Sequence, residues 1–296
     1  MANLNIGERG RLPVTRNMKK LALRFLLCLA AVLVPFQAGW AQDKTELTWY
    51  GHSAFKLVTP KGHVLYLDPW LTNPSNPQGK ADLAAVKQAD LILVSHGHFD
   101  HVGDAVAIAK QTQARLVATF DLGKSLVGFG GFPKDRIGYD SMGNFGGTLS
   151  FFEGEVRVTF IPAVHGSSVN PHDFDAANPQ DAPEYAGNPG GFLITIQDGP
   201  TVYHTGDTAM FSDMALIPKQ HAVDVMLSCI GDHFTMGPTF AAEAVTLVNP
   251  KQVIPMHYGT FPGVLTGTVE EFRNALKSKK QDAKLRPLAI HEQISL

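Results

Sequence analysis

Cysteine is almost missing from this chain. Among 296 residues there are two, Cys28 and Cys229, and the first lies in a segment that reads as a removable leader. Cys229 would then stand alone, so no internal disulfide can form even in an oxidising compartment. Basic charge is also short. Lys and Arg together number 25 against 27 Asp and Glu, which leaves no basic footprint of the kind that nucleic-acid binding needs. Solenoid-period repeats, low-complexity tracts and an interdomain linker are lacking too, and 44% hydrophobic with 18% charged residues is the composition of a globular protein with a full core.

Long apolar runs are scarce as well. Residues 25–36, FLLCLAAVLVPF, fall short of the ~20 residues that span a bilayer and contain Pro35, so no stable membrane anchor is expected. The run follows Arg9, Arg11, Arg16, Lys19, Lys20 and Arg24 and precedes QAGWAQ. That is the layout of a secretory signal peptide over residues 1–41, with cleavage after Ala41. Met18 opens a complete signal by itself and is an alternative start. Phe-Leu-Leu before Cys28 supplies no small residue, which argues against lipid anchoring. The expected mature chain, residues 42–296, is periplasmic or secreted and retains 19 basic against 26 acidic side chains, a formal charge of −7.

After the leader, ELTWYGHSAFKLVTPKGHVLYLDPW predicts strands broken at Gly51 and at residues 60–62, opening the domain with a hairpin. LTNPSNPQGK reads as a loop and ADLAAVKQA as a helix. LILV is a strand buried on both faces, DAVAIAKQTQ a helix capped by Asp104, and RLVATF a strand. DLGKSLVGFGGFP reads as an apolar loop whose Phe129 and Phe132 either line a pocket or pack beside a sheet. GGTLSFFEGEVRVTFIP and GGFLITIQDGPTVYHTGDT are hairpins, the second turning on Asp198-Gly199. DVMLSCI, PTFAAEAVTLV, QVIPMHY and TVEEFRNALKSK then alternate strand and helix, with a last strand near LRPLAI. Antiparallel runs mixed with strand-helix units imply an α+β fold of stacked sheets with helices outside. The segment 166–191 is longer than the ~12–15 residues usual for an unstructured loop and begins beside His165, as a loop over a site would.

What the chain has in excess is histidine at strand ends. Of twelve, seven fall there or in sharp turns: His52, His96, His98, His101, His165, His233 and His257. SHGHFDH follows LILV directly. In extended chain His96 and His98 point the same way and can reach one metal, while the turn at Phe99 lets Asp100 and His101 reach another. Zinc takes four ligands, and His165, Asp207 and His257, each after a β-rich run, can complete two sites, with Asp207 between them. Two such metals can share a water as nucleophile.

The series His96-x-His98-x-Asp100-His101, His165, Asp207 in Gly-Asp-Thr and His257 resembles the metallo-β-lactamase superfamily over roughly residues 45–296. WYGHSAF, LDPW, GDHFTMGP and PMHYGTFP are similar to its metal-dependent hydrolase branch, near the ascorbate-6-phosphate lactonase-like and N-acylphosphatidylethanolamine phospholipase D proteins. The resemblance implies a four-layer αββα sandwich with the site at one edge between the sheets, and a place for His52 near the metals. Asp207 stands where β-lactamases proper commonly use another ligand, and the chain lacks a flavin domain and a C-terminal helical domain of the glyoxalase II type. These departures disfavour β-lactam, redox and glutathione-thioester chemistry.

The expected assignment puts His96, His98 and His165 on one divalent ion, Asp100, His101 and His257 on the other, and Asp207 across both, with a metal-bridging hydroxide as nucleophile and Asp100 able to orient it. Zinc is the expected metal from the nitrogen-rich set, and manganese or iron(II) fit the same donors because no thiolate is among them. The substrate is a small molecule, a phosphate ester or a lactone; the alternative is a metal-containing binding protein without turnover. Asp68 either fixes a ligand histidine from behind or is a turn carboxylate. His52 and His233 stand as supporting or substrate-contacting residues, with ordinary hydrogen-bonded roles as the alternative. His204 is expected to pack, and His63, His172, His221 and His291 to be exposed or structural.

Overall fold

Two mixed sheets carry the architecture. The structure is a computed structural model that describes residues 44–169 and 183–296. The first sheet has seven strands in the order β15-β1-β2-β3-β4-β5-β6: β1 (Glu46–Trp49), β2 (Phe55–Val58), β3 (Val64–Leu67), β4 (Leu91–Leu93), β5 (Arg115–Thr119), β6 (Met142–Gly143) and β15 (Gln293–Ser295). Strands β15, β1, β2 and β3 pair antiparallel, while β3 to β6 run parallel through helices Gly79–Ala85, Ala105–Thr112 and Phe120–Gly128. The second sheet orders β14-β13-β12-β11-β8-β7, from β7 (Thr148–Phe151), β8 (Val156–Pro162), β11 (Gly190–Ile196), β12 (Thr201–His204), β13 (Val225–Cys229) and β14 (Gln252–Met256). Pro255 is tolerated because β14 is the outer strand, where one missing N–H need not break a ladder.

Alternation along the strands sorts side chains into layers. Leu65, Leu67, Leu91, Leu93 and Val117 join one core with Val158, Phe160, Phe192 and Tyr203 of the second sheet. Their neighbours Val64, Tyr66, Ile92, Leu116 and Ala118 face a second core against Ile108, Leu122 and Leu126 of the helices. Helices Pro238–Val248 and Val269–Ser278 pack together and cover the second sheet through Ala241, Val245, Phe272 and Leu276. The layers are therefore helix, sheet, sheet, helix, as the sequence resemblance implies.

Local differences have local causes. DLGKSLVGFGGFP is largely helical, Phe120–Gly128, with Phe132 in the second core and Phe129 exposed; its glycines made it read as loop, but Gly123 sits where Met142 Sδ leaves no room for a Cβ. Asp104 does precede its helix, yet its carboxylate accepts from Thr72 N and Oγ1 (2.9 and 3.0 Å) instead of capping. The last strand is Gln293–Ser295; around LRPLAI only Leu285 makes an isolated bridge, to Val253. Of the segment 166–191, β9 (Ser168–Val169) and β10 (Glu184–Tyr185) pair as a small ribbon, and most of the rest lies outside the described residues.

Phe160 ties the two sheets: it is buried, meets Phe192 edge-on at 5.8 Å and reaches Gly143 of β6. Phe160→Ala should lower unfolding free energy by about 3–5 kcal/mol, measured by urea denaturation. A loss under ~1 kcal/mol would show that the sheets do not lean on this ring.

Candidate metal centre

The functional side chains leave the sheets at the carboxyl ends of strands. Residues 95–101 follow β4, His165 follows β8, Asp207 follows β12 and His257 follows β14, while Asp68 closes β3 and His52 sits in the turn between β1 and β2. Because both sheets end at the same rim, sequence-distant residues meet. Glycines permit the close approach: Gly206 has φ +59°, and a Cβ there would lie 2.3 Å from the carbonyl oxygen of Gly190. His52, Asp68 and His257 hold φ of 48°, 41° and 56°, backbone strain of the kind that persists where surroundings over-determine a site.

All seven expected ligands converge. His98 Nδ1 lies 3.0 Å from His96 Nε2 and 3.3 Å from His165 Nε2; two imidazoles on a tetrahedral zinc with bonds of ~2.0–2.1 Å would stand about 3.3 Å apart. Asp207 is central, with Oδ1 3.2 Å from His101 Nε2 and Oδ2 2.9 Å from His257 Nε2 and 3.6 Å from His165 Nε2. Asp100 Oδ2 lies 3.6 Å from His257 Nε2. Among the described residues three groups could hold a cation: His96, His98 and His165; His52, Asp100, His101 and His257; and His96, His101 and Asp207, which joins the other two.

The residues fit a metal by what they leave unpaired. His101 Nε2, Asp207 Oδ1 and His257 Nε2 are buried without hydrogen-bond partners. His101 Nε2 and Asp207 Oδ1 are close, yet not aimed at each other. A buried polar atom left so costs ~1–3 kcal/mol, and a cation among these atoms would satisfy them at once. Cys229 is no donor: it is fully buried, desolvation pushes its thiol up to about 12, and it sits 3.6–3.7 Å from Thr208 O and Thr205 Oγ1.

Behind the ligands a second set of bonds fixes which nitrogen faces inward. Asp68 Oδ1 accepts from Ser95 N (2.7 Å), and Oδ2 accepts from Ser95 Oγ (2.6 Å) and His101 Nδ1 (2.7 Å). With its proton given to Asp68, Ser95 Oγ accepts from His96 Nδ1 at 3.0 Å. Both rings thereby turn bare Nε2 atoms toward Asp207. His52 Nε2 donates to Asp100 Oδ2 (3.1 Å), and its Nδ1 accepts from Thr260 Oγ1 (2.9 Å). The tautomer that makes both bonds leaves His52 no lone pair for a metal, so its position holds Asp100. Ser95 and Thr260 escaped the sequence reading; their only signal is that Ser95 opens SHGHFDH and Thr260 lies three residues after His257 in HYGTFP.

Electrostatics follow the same plan. Burial pulls His96 well below the ordinary imidazole range, and burial with His165 nearby lowers His98 to about 4. Burial likewise lowers His52 to about 4, aided by His257. At His101 and His257 burial is outweighed by carboxylates, Asp207 first in each case; His101 rises well above its usual value and His257 to about 9. Asp207 and Asp100 resist their burial through His101 and other imidazoles and stay far below the carboxylate range. Without metal, protons on His101 and His257 balance the buried carboxylates, and a divalent ion would replace them.

The other histidines separate cleanly. His204 is buried with Nε2 on Ser53 O (3.2 Å) and Nδ1 accepting from Gly206 N (3.1 Å), a packing role that also shapes the Gly-Asp-Thr turn. His63 pairs with Glu155 and stacks on Phe152, His291 pairs with Asp82, and His221 is exposed. His233 is exposed and edge-on to Phe234, and none of its described contacts reaches the cluster. His172 lies outside the described residues.

A calorimetric metal titration at pH 7 should release protons, because His257, charged below about 9 in the free site, must deprotonate to bind. Affinity should therefore fall as pH drops from 9. Asp68→Asn should weaken binding ~10–100-fold. Proton-neutral binding, or unchanged affinity in Asp68→Asn, would contradict this wiring.

Comparison with known proteins agrees with this geometry. Residues 46–257 match the model of the beta-lactamase superfamily domain. The chain is 50% identical over 282 residues to a UPF0173 metal-dependent hydrolase of Thermodesulfovibrio yellowstonii, covering 94% of this chain and 100% of that one. It is 53% identical over 249 residues to a UPF0173 metal-dependent hydrolase of Anaeromyxobacter sp. strain K, covering 83% and 86%. A solved metallo hydrolase from the archaeon Ignicoccus hospitalis superposes with a TM-score of 0.71 at 32% identity, over 86% of this chain and 98% of that one. The chain belongs to the metallo-β-lactamase superfamily and is one of its metal-dependent hydrolases.

Proposed function

We propose that the protein is an exported hydrolase that works at a dinuclear centre on a phosphate ester or a lactone. The observation that carries the reading is where the cluster sits: His98, Asp100, His165, Asp207 and His257 form part of the wall of a cleft of about 850 Å3. A structural metal site is closed by its ligands, whereas a catalytic one stays open to substrate. That openness favours turnover over a binding protein that merely retains metal.

His96, His98 and His165 would hold one divalent ion, Asp100, His101 and His257 the other, with Asp207 between. Zinc is the first choice from the donors, and manganese or iron(II) suit them too. Bound there, the ions supply a water acidified toward pKa ~7 and a Lewis acid for the scissile oxygen. The chain's own residues do the rest. Asp68 and Ser95 keep the Nε2 atoms of His101 and His96 turned inward. His52 and Thr260 fix Asp100, whose second oxygen is free to orient the attacking water. Asp207, fully buried among imidazoles, holds the two halves of the site at one spacing.

Asp207→Ala should lose at least one metal per chain and nearly all turnover, read by elemental analysis and by initial rates on a phosphodiester, a lactone, a thioester and a β-lactam. Chelator-sensitive hydrolysis of one class is expected of the wild type. Full metal content and activity in Asp207→Ala would end the bridging role.

Export rests on residues 1–41, which lie outside the described residues; their basic stretch, short apolar run and Ala-rich end support it. Among the described residues no helix is long and apolar enough to cross a membrane. Expression of the full chain in a Gram-negative host should give a periplasmic protein with Gln42 at its N-terminus; an uncleaved cytoplasmic product would contradict export.

A further inference from the structure

The walls of the cleft do not match a charged substrate. Trp70, Phe99 and Phe261 form a continuous aromatic face: Trp70 stacks on Phe261 at 5.9 Å and meets Phe99 edge-on at 5.6 Å, and Phe99 lies 6.4 Å from Phe261. Phe234 and Val264 add further apolar lining. Phe99 and Phe234 are 55% and 59% exposed. Large apolar groups grouped in water above a polar centre mark a surface that gains by being covered.

Charge points the same way. Among the described residues lining the cleft there is no Lys or Arg, and beyond the metal-binding cluster the one ionisable group is Asp104. Burial pushes the Asp104 carboxyl up, and its oxygens already accept from Thr72. Phosphoryl oxygens are ordinarily clamped by Arg or Lys in addition to metal, whereas an ester carbonyl brings no charge to neutralise. At about 850 Å3 the cleft has the size of sites for drug-sized ligands, well beyond the needs of a bare ester group.

We propose that this site acts on uncharged carboxylic esters, open-chain or cyclic as lactones, that carry a bulky apolar acyl or alkyl group against the Trp70, Phe99 and Phe261 face. The inference rests on the hydrolase reading above, takes the lactone of its two substrate classes and widens it to open-chain esters of the same chemistry. One water adds across the acyl C–O bond. Its oxygen bonds to the carbonyl carbon, the bond to the alkoxy oxygen breaks with its electron pair on that oxygen, and one water proton passes to it. The products are an alcohol and a carboxylic acid, joined as one hydroxy acid when a lactone opens.

The test is kcat/KM of the metal-loaded enzyme on γ-alkyl-γ-butyrolactones and 4-nitrophenyl alkanoates of rising chain length, beside 4-nitrophenyl alkyl phosphodiesters of matched length. The neutral series should be preferred, with kcat/KM rising roughly three- to fourfold per methylene until the cleft is filled. Phe99→Ala, at an exposed position, should flatten that slope. Faster turnover of the phosphodiesters, or no chain-length dependence in the neutral series, would overturn the inference and leave the hydrolase reading standing. If no series turns over, calorimetric affinity for the same lactones decides: affinity rising with length and flattened in Phe99→Ala upholds the apolar, uncharged ligand class while the proposed chemistry fails, and length-independent affinity overturns it.

Discussion

Everything at the rim depends on holding two buried carboxylates among imidazoles. Asp207 is 2% and Asp100 9% exposed, and an ionised carboxylate leaves water at such depth only when opposite charge meets it. His101 and His257 supply that charge as protons in the free site, and a divalent ion would supply it with better geometry. Two sheets must therefore stay in register at one end. Interlocking strands below, Phe160 across to β6, and backbone bonds such as His257 N to His52 O (3.1 Å) keep them so.

The layers around the centre divide the labour. The Nε2 atoms of His101 and His96 face inward because Asp68 and Ser95 occupy the other side of those two rings, while Thr260 on His52 Nδ1 leaves the opposite nitrogen of His52 to donate to Asp100. Asp68 stays ionised although burial opposes it, because His101 and His204 lie beside it with Ser95. Outward, Trp70, Phe99 and Phe261 come from the same chain segments as Asp68, Asp100 and His257, so the loops that bring the ligands also build the cleft's apolar wall. The residues of the candidate metal site and those of the cleft wall are therefore neighbours along the chain.

Much of this was legible in the sequence. Apolar runs such as LILV, VTFIPAV and QVIPM, each followed within two residues by histidine, announce buried strands whose carboxyl ends carry the candidate site, and the structure brings the seven expected ligands together. Supporting residues were harder to read because a serine or threonine carries no local sign of its partner: Thr260 meets a ring 208 positions away. His52 and His233 look alike as turn histidines, yet only burial and contacts separate the one that holds Asp100 from the one in solvent. Glycine misled at residues 121–133, where Gly123 marks close packing of a helix against Met142 and not a loop. The final strand was misplaced because its three residues, Gln293–Ser295, carry one buried apolar side chain, too short a pattern to show a period.

The central claim is that one buried aspartate joins two metal positions. Anomalous diffraction from crystals of the zinc-loaded protein tests it most directly. The account predicts two peaks per chain, one within bonding distance of His96, His98 and His165, the other of Asp100, His101 and His257, with Asp207 reaching both and His52 neither. A single peak, or a second metal bound through His52 in place of Asp207, would contradict it.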